Sequence, residues 1–249
     1  MIKLGLIGFP LGHSFSKNYY LKKFEKESIT NVDYDLYSFE NIEDFYSLYQ
    51  HDTAFKGFNV TIPHKQNVMQ YLDNLSEEAQ QIKAVNCITI KRENDKTTLT
   101  GYNTDAYGFQ KSLEPLLKLH HQKALILGNG GAAKAVMYAL KKLDIEYKIV
   151  SRNESSGDYT YEQLTKEIID QYKIIINCSP IGTFPNVDQC PNIPYSYISK
   201  EHLLYDLIYN PEETLFLKKG KENGATTKNG YEMLVLQAEK NWEIWRSNF

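Results

Sequence analysis

The chain has 249 residues, 42% of them hydrophobic, with a formal net charge of −3 and a mean hydropathy of −0.49. That length suits one large domain or two of moderate size, and the composition can fill packed cores. Acids and bases are interspersed, which excludes the clustered cationic face of a nucleic-acid binder, and no apolar run nears the roughly 20 residues of a membrane helix.

In chain order, residues 2–8 are a short apolar run that reads as a buried strand; a secretory signal needs a longer apolar stretch and a small-residue cleavage site. A loop with Gly and Pro follows, then a helix over 15–26. Strands are predicted at 34–39 and 55–60, around a helix at 42–49. Residues 64–72 and 77–82 have helical character, and 84–91 with 97–102 form a strand pair about the polar turn 92–96. A second cycle begins, after a helix that follows a boundary near 101–105, with a strand at 123–128 and a helix at 131–143. Strands at 146–150, 174–178 and 203–208, a helix at 212–222 and an apolar helical run at 233–245 complete it. This alternation predicts an α/β fold of two α/β domains with largely parallel sheets. Cys87, Cys178 and Cys190 are odd in number and lack CxxC or zinc-like spacing. No metal site is expected, and the thiols read as inert groups in a reducing, cytoplasmic compartment.

The sharpest local signal is the strand–turn–helix around Gly128, Asn129, Gly130, Gly131 and Ala132. Gly128, Gly130 and Ala133 fill the G-x-G-x-x-G/A pattern of a dinucleotide site. The first glycine permits the turn, the second lets backbone approach a pyrophosphate, and the alanine allows close helix–sheet packing. The next strand ends at Ser151, Arg152 and Asn153, with Arg152 lying 22 residues beyond Gly130. A site for NAD places an acid there to hold the ribose 2′-hydroxyl, whereas a guanidinium pairs with a 2′-phosphate. NADP is therefore expected over NAD.

Three polar clusters lie outside this core: Gly12-His13-Ser14-Phe15-Ser16, Asn59-Val60-Thr61-Ile62-Pro63-His64-Lys65, and Gly101-Tyr102-Asn103-Thr104-Asp105. Each follows or ends a predicted strand, where ligands bind in open α/β sheets. Lys65 offers acid/base chemistry and Asp105 a carboxylate partner. Each cluster taken singly also reads as loop chemistry, and Ser14 as an N-cap.

With Gly8-Phe9-Pro10-Leu11, Ala84-Val85-Asn86, Gly108, Ile176-Asn177-Cys178-Ser179-Pro180-Ile181-Gly182, Asp206-Leu207-Ile208-Tyr209, Gly230, Met233-Leu234 and Gln237, these blocks resemble the shikimate dehydrogenase family over nearly the whole chain. The resemblance implies a substrate-binding domain (1–103 plus 231–249) and a Rossmann-type NADP-binding domain (104–230), with a cleft between them. It implies reversible NADPH-dependent reduction of 3-dehydroshikimate to shikimate, in aromatic amino-acid biosynthesis. Lys65 then handles the proton at the reacting oxygen beside Asp105. Ser14 and Ser16 hold the substrate carboxylate; Thr61, Asn86, Asp105 and Gln237 bind its hydroxyls, and Tyr209 closes the pocket. On the cofactor side, residues 128–132 take the pyrophosphate and Ser151, Arg152 and Asn153 the 2′-phosphate. Leu207 and Gly230 lie near the nicotinamide, and Glu77 aligns with a position near the cofactor, although a surface helical Glu is an equal reading. The partners implied are a small-molecule substrate and, compatibly, a second copy in a homodimer, with no nucleic acid or membrane.

Lys17, Asn129 and the Ser151-Arg152-Asn153 triplet depart from common family residues, while Arg152 keeps 2′-phosphate recognition in place. A quinate/shikimate dehydrogenase using NAD or NADP is the alternative enzyme, disfavoured by Arg152 and the Ser14/Ser16 pair. A non-catalytic nucleotide-sensing protein is the alternative of another class, and it has no need for Lys65 with Asp105.

Overall fold

The computed structural model describes residues 1–12 and 14–249, so His13 in the first polar cluster lies outside the described residues. The chain divides into two units, Met1–Thr104 with Ala238–Phe249, and Asp105–Gln237. No helix among the described residues is long and apolar enough to cross a membrane.

The first unit runs β1 (Ile2–Gly8), α1 (Phe15–Lys26), β2 (Val32–Ser38), α2 (Glu43–His51), β3 (Phe55–Val60), β4 (Asn74–Leu75), α3 (Glu77–Ile82), β5 (Cys87–Glu93) and β6 (Lys96–Tyr102). These form a six-stranded sheet in the order β2-β1-β3-β5-β6-β4. β1 is parallel to both neighbours, whereas β5 is antiparallel to β3 and β6. The sheet is thus mixed where the sequence suggested a largely parallel one. Leu4 through Gly8 are all buried, the unbroken run of a strand covered on both faces. Successive side chains alternate: Leu4 and Leu6 join Tyr20, Phe24, Tyr34, Trp242 and Trp245, while Ile7 joins Phe45, Phe55, Phe58 and Ile88. The β5–β6 hairpin closes through Asn94 and Asp95, both at positive φ, as a two-residue turn requires.

The predicted helix over 64–72 does not form; only a 3₁₀ segment, Asn67–Tyr71, is present. An α-helix there would use the Lys65 carbonyl for the N–H of Met69. That carbonyl instead accepts from Val85 N at 2.7 Å, and Met69 N turns to Gln66 O. A bond from a distant segment has outcompeted local propensity.

The second unit contains α4 (Asp105–Leu113), β7 (Lys123–Leu127), α5 (Gly131–Lys142), β8 (Glu146–Ser151), β9 (Tyr159–Thr160), α6 (Lys166–Gln171), β10 (Ile174–Asn177), β11 (Leu203–Asp206), α7 (Leu215–Glu222) and β12 (Thr226–Lys228). Helix α8 (Tyr231–Arg246) begins in this unit and ends in the first. The sheet is parallel throughout, in the order β12-β11-β10-β7-β8-β9. From its far edge this is the 3-2-1-4-5-6 order of a dinucleotide-binding sheet, with the topological switch between β7 and β10. Ala124 to Leu127 and all four residues of β10 are buried, so apolar periodicity is lost in these strands and only length and flanking turns identify them.

Helix α7 starts at Leu215 rather than at 212. Thr214 is its N-cap, with Oγ1 accepting from Leu217 N, and its hydroxyl donates to Asp206 at 2.6 Å. Helix α6 and the short strands β4, β9 and β12 were not predicted. Strands of two or three residues carry no period and exist through their neighbours. Cys87 is buried, and burial pushes its thiol well above the usual range. No group of three or more His, Cys, Asp or Glu that could hold a metal occurs among the described residues.

Candidate functional site

At the switch point of the second sheet, β7 runs into Gly128, whose φ of +103° turns the chain while its N–H bonds Val150 O at 2.9 Å. Gly130 is the N-cap of α5, with no side chain capping the helix and no acid in its first turn. A Cβ at Gly130 or Gly131 would meet nothing within 4 Å. Open space therefore stands over N–H groups at a helix start, where an anion gains both hydrogen bonds and the helix dipole. Ala133 is fully buried and packs with Ile126 and Ile176 in the core, the close approach its small side chain allows.

Gly128, Asn129 and Gly130 share a pocket of about 290 Å³ with Ser151, Arg152, Asn153, Ser156, Tyr161 and Cys178-to-Ile181. Arg152 is exposed and has no ion pair among the described residues. Its charge is felt locally: burial raises the Tyr161 hydroxyl above its ordinary pKa, and the Arg152 guanidinium opposes that rise. A glycine cradle and an uncompensated cation lining one pocket fit a phosphorylated dinucleotide. Cys178 at the rim is half-buried, and burial pushes its thiol up.

Leu207 and Gly230 are also brought together, since a Cβ at Gly230 would lie 2.1 Å from Leu207 O. Gly230→Ala is expected to destabilise the protein by about 1–3 kcal/mol through overpacking, measured by denaturant unfolding; an unchanged midpoint would refute the contact. Asp206, just before Leu207, enters the sequence reading only within the Asp206-Leu207-Ile208-Tyr209 block, with no role of its own. It is fully buried at the end of β11, accepting from Thr214 Oγ1, from Asn177 Nδ2 at 3.0 Å and from Ile208 N at 3.1 Å. Burial raises its carboxyl to about 6, against those three hydrogen bonds. An acid closing the apolar run Leu203-Leu204-Tyr205 was the available signal.

In the first unit a buried polar chain links the second and third clusters. Ser14 caps α1 by accepting from Lys17 N at 3.4 Å. Two residues on from Ser14, Ser16 opposes the rise that burial imposes on the Tyr34 hydroxyl, and that hydroxyl donates to Asn59 Oδ1 at 2.8 Å. Asn59 Nδ2 donates to Asn86 O at 3.1 Å. Asn86 Nδ2 in turn donates to Thr104 Oγ1 at 2.9 Å, while Asn86 Oδ1 accepts from Thr104 N at 2.7 Å. Thr104 also donates to Asn241 at 2.6 Å. Tyr34 and Asn241 carried no sequence signal, because both read as ordinary strand and helix residues.

Lys65 is half-buried, its carbonyl taken by Val85. His64 beside it is buried and donates Nε2–H to Phe39 O at 2.6 Å, a local structural role. Thr61 accepts from His64 N and donates its own N–H to Ile7 O. Asp105 is the first residue of α4, directly after Thr104, where a carboxylate suits the helix dipole. Gln237 is buried, its amide donating to Leu234 O at 2.9 Å, and Tyr209 is exposed after β11. Glu77 stands exposed in the first turn of α3 and accepts from Gln81 at 2.9 Å.

Against known proteins, the profile of the shikimate dehydrogenase substrate binding domain matches residues 6–88. The shikimate dehydrogenase (NADP(+)) of Methanococcus maripaludis is 38% identical, covering 97% of this chain and 91% of the relative. That of Clostridium botulinum is 37% identical, with 100% and 98% covered. Among solved structures, shikimate 5-dehydrogenase from Thermus thermophilus, in complex with NADP(H) and shikimate, superposes with a TM-score of 0.85 at 28% identity, covering 99% of this chain and 94% of that one.

Proposed function

Because this chain belongs to the shikimate dehydrogenase family, we propose that it catalyses the reversible NADPH-dependent reduction of 3-dehydroshikimate to shikimate, a step of aromatic amino-acid biosynthesis. One observation carries the cofactor assignment: the glycine cradle of α5 and the unpaired guanidinium of Arg152 line the same pocket. NADPH supplies the hydride. Gly128, Asn129, Gly130, Gly131 and Ala132 hold the pyrophosphate, with Leu207 and Gly230 on the nicotinamide side, and Arg152, flanked by Ser151 and Asn153, holds the 2′-phosphate.

Toward the substrate, Ser14 and Ser16 bind the carboxylate, and Thr61, Asn86, Asp105 and Gln237 bind hydroxyls, with Tyr209 covering them. Lys65 gives its proton to the carbonyl oxygen as hydride reaches the carbonyl carbon, and takes one back in the reverse direction. Asp105 is its carboxylate partner. A cytoplasmic location accompanies this reading. Dense hydrogen-bonding groups reject a substrate lacking matching hydroxyls, because each unpaired buried group costs free energy.

The direct test is a spectrophotometric matrix of shikimate and quinate, each with NADP⁺ and NAD⁺. Reduction with shikimate and NADP⁺ well above the other three pairs is expected; equal rates with quinate and NAD⁺ would overturn the assignment. Arg152→Ala is expected to weaken NADP⁺ by about 1–3 kcal/mol, the range of a charge-assisted hydrogen bond, with little change for NAD⁺. Binding calorimetry with both cofactors checks it, and equal losses would defeat the 2′-phosphate role.

A further inference from the structure

We propose that Asn129 is a positioning residue: its side chain ties the glycine turn to the loop that carries Arg152, and so sets the preference for a 2′-phosphorylated dinucleotide. The inference rests on the 2′-phosphate role of Arg152 proposed above.

Two bonds join these segments. The inner one is main chain, from Gly128 N to Val150 O. The outer one is Asn129 Nδ2 donating to Ser156 O at 2.8 Å, across 27 positions of sequence. Between the two anchors runs 151–155, with Arg152 exposed on it.

The loop is otherwise closed on itself. Ser156 N and Ser156 Oγ both donate to Asn153 O at 3.1 Å. The hydroxyls of Ser151 and Ser156 pair at 2.7 Å, with either able to donate. Ser151 Oγ then accepts from Asn153 N at 3.4 Å. Both serine hydroxyls are engaged in shaping the turn, and the guanidinium is the charged donor that the loop offers toward a 2′-phosphate. That guanidinium is useful only if its loop stays at a fixed distance from the pyrophosphate cradle, since one rigid ligand must span both. Asn129 sits on the cradle itself, next to Gly128 and Gly130, and holds that distance from the outside.

The pyrophosphate role proposed above for Asn129 belongs to its main chain, which Asn129→Ala retains. A direct pyrophosphate contact by its side chain would affect both cofactors alike, whereas a side-chain latch acts through the 2′-phosphate. Calorimetric Kd values for NADP⁺ and NAD⁺, measured on the full chain and on Asn129→Ala, Arg152→Ala and the double variant, separate these. Asn129→Ala should weaken NADP⁺ by roughly 3–10-fold, the size of one net hydrogen bond, and NAD⁺ by distinctly less. In the Arg152→Ala background the same change should leave the NADP⁺/NAD⁺ ratio where Arg152→Ala put it. Asn129 is exposed, so the variant should fold, and thermal unfolding verifies this. Equal or absent losses in Asn129→Ala, with a selective loss in Arg152→Ala, would overturn the latch and keep the phosphate reading. An unselective Arg152→Ala would overturn both.

Discussion

Lys65→Ala is expected to lower turnover with shikimate and NADP⁺ by roughly 10²–10⁴-fold, the usual contribution of a positioned acid or base. Hydride addition to a ketone builds negative charge on its oxygen, and in the role proposed for Lys65 the ammonium removes that charge by giving up a proton. The fold should survive the change. The turn is held in part by the Lys65 carbonyl bonded to Val85 N, His64 N bonded to Thr61 O, and the His64 ring on Phe39 O, contacts that the substitution leaves in place. Unchanged thermal unfolding with collapsed turnover is therefore the expected pair of results. Lys65→Arg refines the test, because arginine keeps the charge but does not release its proton near neutral pH. Recovery of turnover in that variant would reduce Lys65 to a charge, and near-normal turnover in Lys65→Ala would remove it from the mechanism.

The second large effect concerns Asp206 and the pH dependence of stability. Burial raises its carboxyl from 3.8 to about 6, against its bonds with Thr214, Ile208 and Asn177. Below the unfolded value both states hold the proton and the contribution is full. Between roughly pH 4 and 6 the folded state binds a proton that the unfolded chain has lost, so stability falls as pH rises and levels off above. A shift of about two units corresponds to about 3 kcal/mol. Asp206→Asn cannot titrate, yet its amide oxygen can still accept from Asn177 and Ile208. Denaturant unfolding of both proteins from pH 4 to 8 should therefore show the wild-type-minus-variant difference dropping by about 2–3 kcal/mol across that window. His121 and His202, lowered by burial, oppose this trend because their contribution is lost as pH falls. They are common to both proteins and cancel in the difference. Two parallel curves would show that Asp206 does not titrate in that range.

Much of the fold could be read from residues close in sequence. The turn at Gly128, the helix capped by Ser14, the hairpin at Asn94 and Asp95, and the alternation of Leu4, Leu6 and Ile7 all follow from local sterics and period. That 128–130 and 151–153 would line one pocket was equally legible, because they lie at the ends of adjacent parallel strands. Topology turns their sequence spacing into proximity.

Other features needed distant partners. Residues 64–72 have helical character, and nothing nearby reveals that Val85 will take the Lys65 carbonyl. Asp206 reads as a strand-end acid until Asn177 and Thr214 close over it. Asn129 looks like a neutral replacement until Ser156 arrives beside its amide. Sequence by itself determined the type of most of the longer elements, the parallel nucleotide-binding sheet and the residue types available for chemistry, because steric rules and periodicity act within a few residues. Only the tertiary structure decided which buried polar groups became partners. A hydrogen bond is set by distance and angle over a few ångströms, and chain segments separated by tens of residues meet at that range only after folding.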